Sequence, residues 1–273
     1  MITSTGNQQM KHIIQLQKKS KTRCEERVFV VEGPRMALEA PGDWVEKMYV
    51  SEGFLQEPDW HEKLSEYAYE VVSDSVMNAI SDTKTPQGIL AVVRMPSYTL
   101  EELLKGKYQE NMQEAGNAGM LQKAPHLLVL ESIQDPGNLG TMVRTGEGAG
   151  VSGIIMDKTT VDLFNPKTIR ATMGSLYRVP FFITEDLPGT IQELKKRKIS
   201  VYAAHLGGRK SYDEPDYTKG TAFLIGNEGN GLSDEIAGLA DEYIRIPMEG
   251  KVESLNAAIA ATLLMDEVNR QRR

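Results

Sequence analysis

IPMEGKVESLNAAIAATLLMDE, residues 246–267, changes character twice. Tyr243 to Met248 reads as the end of a strand. Glu249 to Glu253 is a polar turn carrying Gly250. From Ser254 the apolar positions Leu255, Ala258, Ile259, Leu263 and Met265 recur at helical spacing, so a helix is predicted to start there with Ser254 as its cap. A strand end, a glycine turn and a helix N-terminus put unsatisfied backbone N–H groups into one loop, which suits a polar ligand.

Two further stretches share this grammar. Gly226-Asn227-Glu228-Gly229-Asn230-Gly231-Leu232-Ser233 follows the apolar run Thr221 to Ile225, and Asp135-Pro136-Gly137-Asn138-Leu139-Gly140 follows Leu127 to Leu130 and leads to Arg144. All three are glycine-bearing polar loops at the carboxyl ends of strands, where α/β sheets bind ligands.

The rest of the chain narrows the class. Its 273 residues are 40% hydrophobic and 25% charged, ordinary for a globular protein that buries a good core. No apolar run approaches the roughly 20 residues of a membrane span, and the first residues lack the apolar stretch of a signal peptide. A lone Cys24 allows no internal disulfide, which fits a reducing cytoplasm. His12, His61, His126 and His205 are scattered without metal-ligand spacing, so no metal is expected. The net charge is −7, yet Met1 to Cys24 contains no acid and holds Lys11, Lys18, Lys19, Lys21 and Arg23. That local excess is a candidate contact for a phosphate backbone, or else a solvated helix face.

Periodicity divides the chain into three. Residues 1–104 alternate short strands and helices, with strands predicted at 27–31, 45–50, 69–72 and 89–93. Residues 105–124 are polar and carry glycines, and read as a linker. Residues 125–273 form a second α/β domain with strands predicted at 127–130, 153–156, 179–182, 200–204, 222–225 and 243–246. Helices are predicted at 139–149, 166–173, 187–197, 234–239 and 254–269. Such alternation implies a mainly parallel sheet covered on both faces. Gly148-Ala149-Gly150-Val151-Ser152-Gly153 matches a dinucleotide fingerprint by letter, but a helix precedes it and a strand follows, the reverse of the required order. Neither a P-loop nor a hydrolase elbow is present, so any chemistry falls to the three loops.

Taken in order, DPGNLGTMVRT (135–145), LIGNEGNGLS (224–233) and IPMEGKVESLNAAIA (246–260) resemble the three motifs of the SpoU, or TrmH-type, RNA 2′-O-ribose methyltransferases of the SPOUT superfamily. FVVEGPRMALEA and SDTKTPQGILAVV in residues 1–104 resemble that family's L30-like RNA-binding substrate domain. The resemblance implies a deep trefoil knot, S-adenosylmethionine as cofactor, RNA (ribosomal, 23S-type) as substrate, and a cytoplasmic homodimer. The final helix, through Ala257, Ala258, Ala261, Leu264 and Val268, would serve the dimer interface or the core. Other activities compatible with the same motifs are a tRNA or antibiotic-resistance methyltransferase and a non-catalytic RNA-binding or ribosome-assembly protein.

By the same resemblance Arg144 engages the ribose hydroxyl as base or base-partner, with Asn138, Glu228, Ser254 and Asn256 around it; because a charged guanidinium has no free acceptor, holding the adjacent phosphate or stabilising the developing alkoxide by charge is the easier role. Asn138 is alternatively a plain helix cap. The cofactor would rest on Ala204, His205, Leu224, Ile225, Gly226, Asn227, Gly231, Ile246, Met248, Ser254, Leu255 and Asn256, mainly through backbone groups and apolar walls. Gly146 and Gly148 stand where the family often has alanines, which leaves the length of that helix open.

Overall fold

The computed structural model describes residues 1–105, 124–252 and 254–273. The linker expected over 105–124 lies, except for its end residues, outside them. The described chain forms two compact units: Met1–Pro96 with Asp162–Tyr177, and Ser97–Val161 with Arg178–Arg273.

In the first unit β1 (Val28–Glu32), β2 (Val45–Ser51), β3 (Glu70–Val72) and β4 (Ile89–Arg94) form one sheet in the order β1-β4-β2-β3. Only β2 and β3 run parallel. The Gln8–Lys18 helix is capped by Asn7, whose side chain accepts the Gln9 N–H at 2.8 Å. Met10, Ile13 and Leu16 recur at three-residue spacing and bury that helix against Val28, Val30, Leu90 and Val92. The Pro166–Thr172 helix, which sequence order assigns to the second domain, belongs here. Phe164 stacks on Phe29 with ring centroids 4.9 Å apart, Tyr177 donates its hydroxyl to the Met36 carbonyl at 2.7 Å, and Asp162 pairs with the buried Arg23. An apolar pattern says that a segment is buried, not which sheet it covers.

The second unit is a seven-stranded sheet of β5 (His126–Leu130), β6 (Gly153–Asp157), β7 (Phe181–Thr184), β8 (Ser200–Ala204), β9 (Lys210–Ser211), β10 (Thr221–Ile225) and β11 (Glu242–Arg245). Its order is β7-β6-β5-β10-β8-β11-β9, and each pairing is parallel. β5 and β10 are buried along their whole length, as expected of apolar runs covered on both faces. Their carboxyl ends therefore lie side by side along one edge, in register from Leu130 against Ile225 to Leu224 against Ala203 and Ile244 against Ala204.

Two helix starts differ from expectation. The first-motif helix runs Pro136–Gly148 and is capped by Asp135, which accepts the Asn138 N–H at 2.8 Å, so Asn138 is not the cap. Proline at the first helical position is the sequence signal for this earlier start. The last helix runs Ala257–Gln271 and is capped by Asn256, not Ser254; Asn256 Oδ1 accepts the N–H groups of Ala258 and Ile259 at 2.9 and 3.3 Å. Serine and asparagine cap equally well, and periodicity does not choose between them at two residues' distance. Ala258, Ala261, Leu264 and Val268 are core, while Ile259 on the same helix is 50% exposed. Among the described residues no helix is long and apolar enough to cross a membrane.

Two consequences can be measured. The Pro136–Gly148 helix continues through Gly146, where an added Cβ would meet Val151 at 3.6 Å and Met265 Sδ at 3.7 Å, ordinary contact distances. Gly146→Ala is expected to stabilise the protein by about 0.5–1 kcal/mol, read as a higher urea midpoint at unchanged slope. Secondly, burial first, and then the Arg272 charge, push the His126 imidazole down to about 3. Its Nε2 has no hydrogen-bond partner among the described residues. The unfolded chain takes up this proton near pH 6.5 and the folded one does not, so this contribution to stability is lost as pH falls from about 6.5 towards 3. The His126→Phe protein is expected to show a flatter acid limb in pH-dependent unfolding.

Candidate functional site

β10 ends at Ile225, and the chain must turn sharply at once. Gly226 makes this possible: a Cβ there would lie 2.1 Å from the Gly231 carbonyl carbon. The loop then closes on itself, Asn227 and Gly231 exchanging N–H···O bonds of 3.0 and 2.9 Å, with Gly231 at φ +70°. The Asn227 side chain braces the loop. Its Oδ1 accepts the Gly229 and Asn230 N–H groups at 2.8 and 3.1 Å, and its Nδ2 donates to the Ser132 carbonyl at 2.8 Å. At the loop's exit Ser233 bonds Glu131 through its N–H at 2.8 Å and its hydroxyl at 2.6 Å.

This brace aims Glu228 at the loop after β5. Its carboxylate accepts the Gln134 N–H at 2.9 Å, the Asp135 N–H at 3.1 Å and the Asn138 side-chain amide at 2.9 Å. Burial pushes the Glu228 carboxyl up, but the Asn138 amide and the neighbouring backbone N–H groups outweigh it and hold it below the usual carboxylate range. With its NH₂ committed to Glu228, Asn138 turns its oxygen to Asn256 Nδ2 at 3.0 Å. Asn256 Oδ1 in turn is fixed by the first turn of the last helix. Each amide in the chain Glu228–Asn138–Asn256 thus has one defined orientation, and the chain joins all three motif loops.

A cavity of about 620 Å³ opens beside it, lined by Gln134, Asp135, Asn138, Glu228 and the 254–257 segment. Ser254 is exposed at its rim. Sequence reasoning gave Gln134 and Asp135 no role in the site, because it is their main-chain N–H groups that meet Glu228, which residue type does not reveal. The Gln134 side chain holds the Ser132 and Thr159 carbonyls at 3.0 and 2.9 Å and so fixes that turn.

Arg144 lies apart from this cavity. It is six residues beyond Asn138 on the same helix, about 9 Å further along and about 120° round at ideal geometry. Its side chain is exposed and has no ion-pair or hydrogen-bond partner among the described residues. The buried, strained arginine that a base role would favour is not what the fold provides.

The residues expected to hold the cofactor fall on three neighbouring strand ends. Ala204 closes β8, Ile225 closes β10 with Gly226 after it, and Ile246 and Met248 follow β11. Leu224 and Ile225 are only 0% and 3% exposed, so they offer backbone and not an apolar wall. Ile246, Met248 and Leu255 are half-buried and supply apolar surface. The His205 ring is occupied locally, accepting the Gly207 N–H at 3.0 Å and packing on Tyr243 at 5.0 Å. Gly208 sits under Ile244, where a Cβ would come within 2.6 Å of backbone. A polar rim beside half-buried apolar residues and strand-end backbone fits a ligand with a charged amino-acid end and a flat apolar end. Among the described residues no cluster of His, Cys, Asp or Glu is arranged to hold a metal ion.

Comparison with known proteins agrees with this geometry. The SpoU rRNA Methylase family matches residues 125–266, and an MRM3-like substrate binding domain matches residues 7–91. The 23S rRNA (guanosine(2553)-2′-O)-methyltransferase RlmP of Bacillus subtilis is 32% identical over 97% of both chains. Among solved structures, the S-adenosylmethionine-bound rRNA methyltransferase of Sinorhizobium meliloti is 29% identical, with a TM-score of 0.79 over 98% of this chain and 97% of that one. The SpoU methyltransferase AviRb of Streptomyces viridochromogenes, in complex with the same cofactor, is 25% identical with a TM-score of 0.82 over 97% and 98% of the two chains. Three motif loops brought together at one sheet edge, and likeness along the whole chain, lead to one assignment: the chain belongs to the SpoU rRNA methylase family.

Proposed function

We propose that this protein transfers a methyl group from S-adenosylmethionine to a ribose 2′-hydroxyl of large-subunit ribosomal RNA. The observation that carries the reading is the Glu228–Asn138–Asn256 chain, a set of oriented polar groups facing one cavity at the strand ends. Bound at Ala204, Gly226, Ile246, Met248 and Leu255, the cofactor supplies a methyl group on a positively charged sulfur. The chain's own work is alignment and charge. Asn138, Asn256 and Ser254 present amide and hydroxyl groups that would hold the target nucleotide with its 2′-oxygen in line with the methyl group; as the new C–O bond forms, the methyl's bond to sulfur would break with the electron pair left on the departing thioether, and the hydroxyl proton would pass to water. A charged guanidinium has donors and no acceptor. Arg144 therefore acts from outside this cavity on the phosphate next to the target ribose, not as the base.

The same reading includes the trefoil knot through the C-terminal loops and a cytoplasmic homodimer. The dimer would use the outward side of the Ala257–Gln271 helix around Ile259, because Ala258, Ala261, Leu264 and Val268 are spent on the core.

Transfer of labelled methyl from S-adenosylmethionine to 23S rRNA from a strain lacking the gene tests the reading. The wild-type protein is expected to label it. Arg144→Ala is expected to lose turnover while keeping its cofactor affinity. A mutant that transfers at the wild-type rate removes Arg144 from the site, and a wild-type protein that binds no cofactor supports a non-catalytic RNA-binding role instead. Glu228→Gln removes the charge from three hydrogen bonds, each worth about 1.5–3 kcal/mol when one partner is ionised. It is expected to lower kcat/KM for RNA at least about tenfold, the equivalent of about 1.4 kcal/mol.

A further inference from the structure

The mechanism leaves the first two helices unused, and they carry an uncompensated charge. On the Gln8–Lys18 helix, Gln8, Lys11, Gln15 and Lys18 are all exposed and recur at three- and four-residue spacing. They form one face with no acid and no large apolar residue. Lys19 at the junction, and Lys21 and Arg27 on and after the Ser20–Glu26 helix, are exposed as well.

The nearby carboxylates keep their charge, but among the described residues none lies within ion-pair distance of Lys11, Lys18, Lys19 or Arg27. Glu26 is held by His12 at 2.6 Å, and Glu32 by Gln17 at 2.9 Å and the Asp82 N–H at 2.6 Å. Glu70 meets Gln9 at 3.4 Å, and Glu25 lies 3.8 Å from Lys21. Lys11, Lys18, Lys19 and Arg27 have no side-chain partner among the described residues.

The platform beneath them is rigid. Arg23 is 3% exposed, donates to the Leu16 and Gln17 carbonyls at 2.6 and 3.1 Å, and pairs with Asp162. That locks the end of the first helix to the second and so fixes Lys18, Lys19 and Lys21 relative to one another. Little backbone order then has to be gained on binding.

We propose that this face, centred on Lys11, Lys18 and Lys19, grips the phosphate backbone of the RNA substrate. The proposal rests on the RNA methyltransferase reading and deepens it by naming where the substrate is held. Lysines without a planar fork, flanked by glutamine amides, fit a point-charge contact to phosphate that ignores base identity. A chain of net charge −7 has no general attraction for RNA, so its contacts must be local. The absence of large apolar side chains from the face argues against a membrane surface.

The test removes three charges at once, as Lys11→Gln, Lys18→Gln and Lys19→Gln. A matched control carries Lys63→Gln, Lys105→Gln and Lys198→Gln. Binding of fluorescent polyuridine is measured across a salt series, together with methyl transfer to a 23S rRNA transcript, cofactor affinity and thermal unfolding. The face variant is expected to lose about two units of the slope of log K against log salt, at roughly 0.7 per phosphate released. Its KM for rRNA should rise about tenfold, with kcat at saturating RNA, cofactor affinity and unfolding unchanged. The control should match wild type. An unchanged slope and KM in the face variant overturns the proposal, as does an equal loss in both variants, which would show a net-charge effect only. A wild-type protein that neither binds nor methylates RNA defeats the functional reading itself, whereas a wild type that methylates rRNA beside an unaffected face variant defeats only this surface.

Discussion

A single carboxylate holds the candidate site together. Glu228 accepts two main-chain N–H groups and one side-chain amide from the loop and helix after β5, while its own loop is anchored after β10. Without a strong acceptor there, those N–H groups at the start of the Pro136–Gly148 helix would face a cavity unpaired. Because an ionised acceptor makes the stronger hydrogen bonds, the charge matters as well as the shape. The orientation of Asn138 follows from Glu228, and that of Asn256 from Asn138.

This arrangement depends on the sheet beneath it. Parallel pairing of β5, β10, β8 and β11 delivers consecutive loops to one edge, and nearly complete burial of β5 and β10 keeps their register from slipping. The loop after β10 then needs glycine at Gly226 for close backbone approach and at Gly231 for positive φ. A larger residue at Gly226 would displace the loop that carries Glu228, so a substitution that never touches a substrate would still disorder the site. In the first unit the buried Arg23 has a comparable role, tying two helices and the Asp162 segment into one body.

Much of this was legible beforehand, for identifiable reasons. Apolar runs such as those of β5 and β10 read directly as buried parallel strands. The three glycine loops were visible at their ends, and the resemblance of those loops to the SpoU motifs pointed to Asn138, Glu228 and Asn256. What escaped notice depends on three-dimensional neighbours. Gln134 and Asp135 contribute through the main chain. The segment 162–177 covers the first unit's sheet although it lies between strands of the second. The choice of Asn256 over Ser254 as cap, and the burial of Ala258 and Ala261 in the core, are settled by packing against the Pro136–Gly148 helix, where Thr262 also reaches Thr145 at 3.2 Å.

The central claim is that the oriented polar chain presents a ribose, not a base, for methylation. Its most direct test is the chemical position of the methyl group in RNA labelled by the wild-type protein. A methyl on the 2′-oxygen removes the neighbouring nucleophile, so the adjacent phosphodiester survives alkali. Label is expected in an alkali-resistant dinucleotide that yields a single 2′-O-methyl nucleoside on enzymatic digestion. Label released by alkali as a mononucleotide methylated on its base would contradict it.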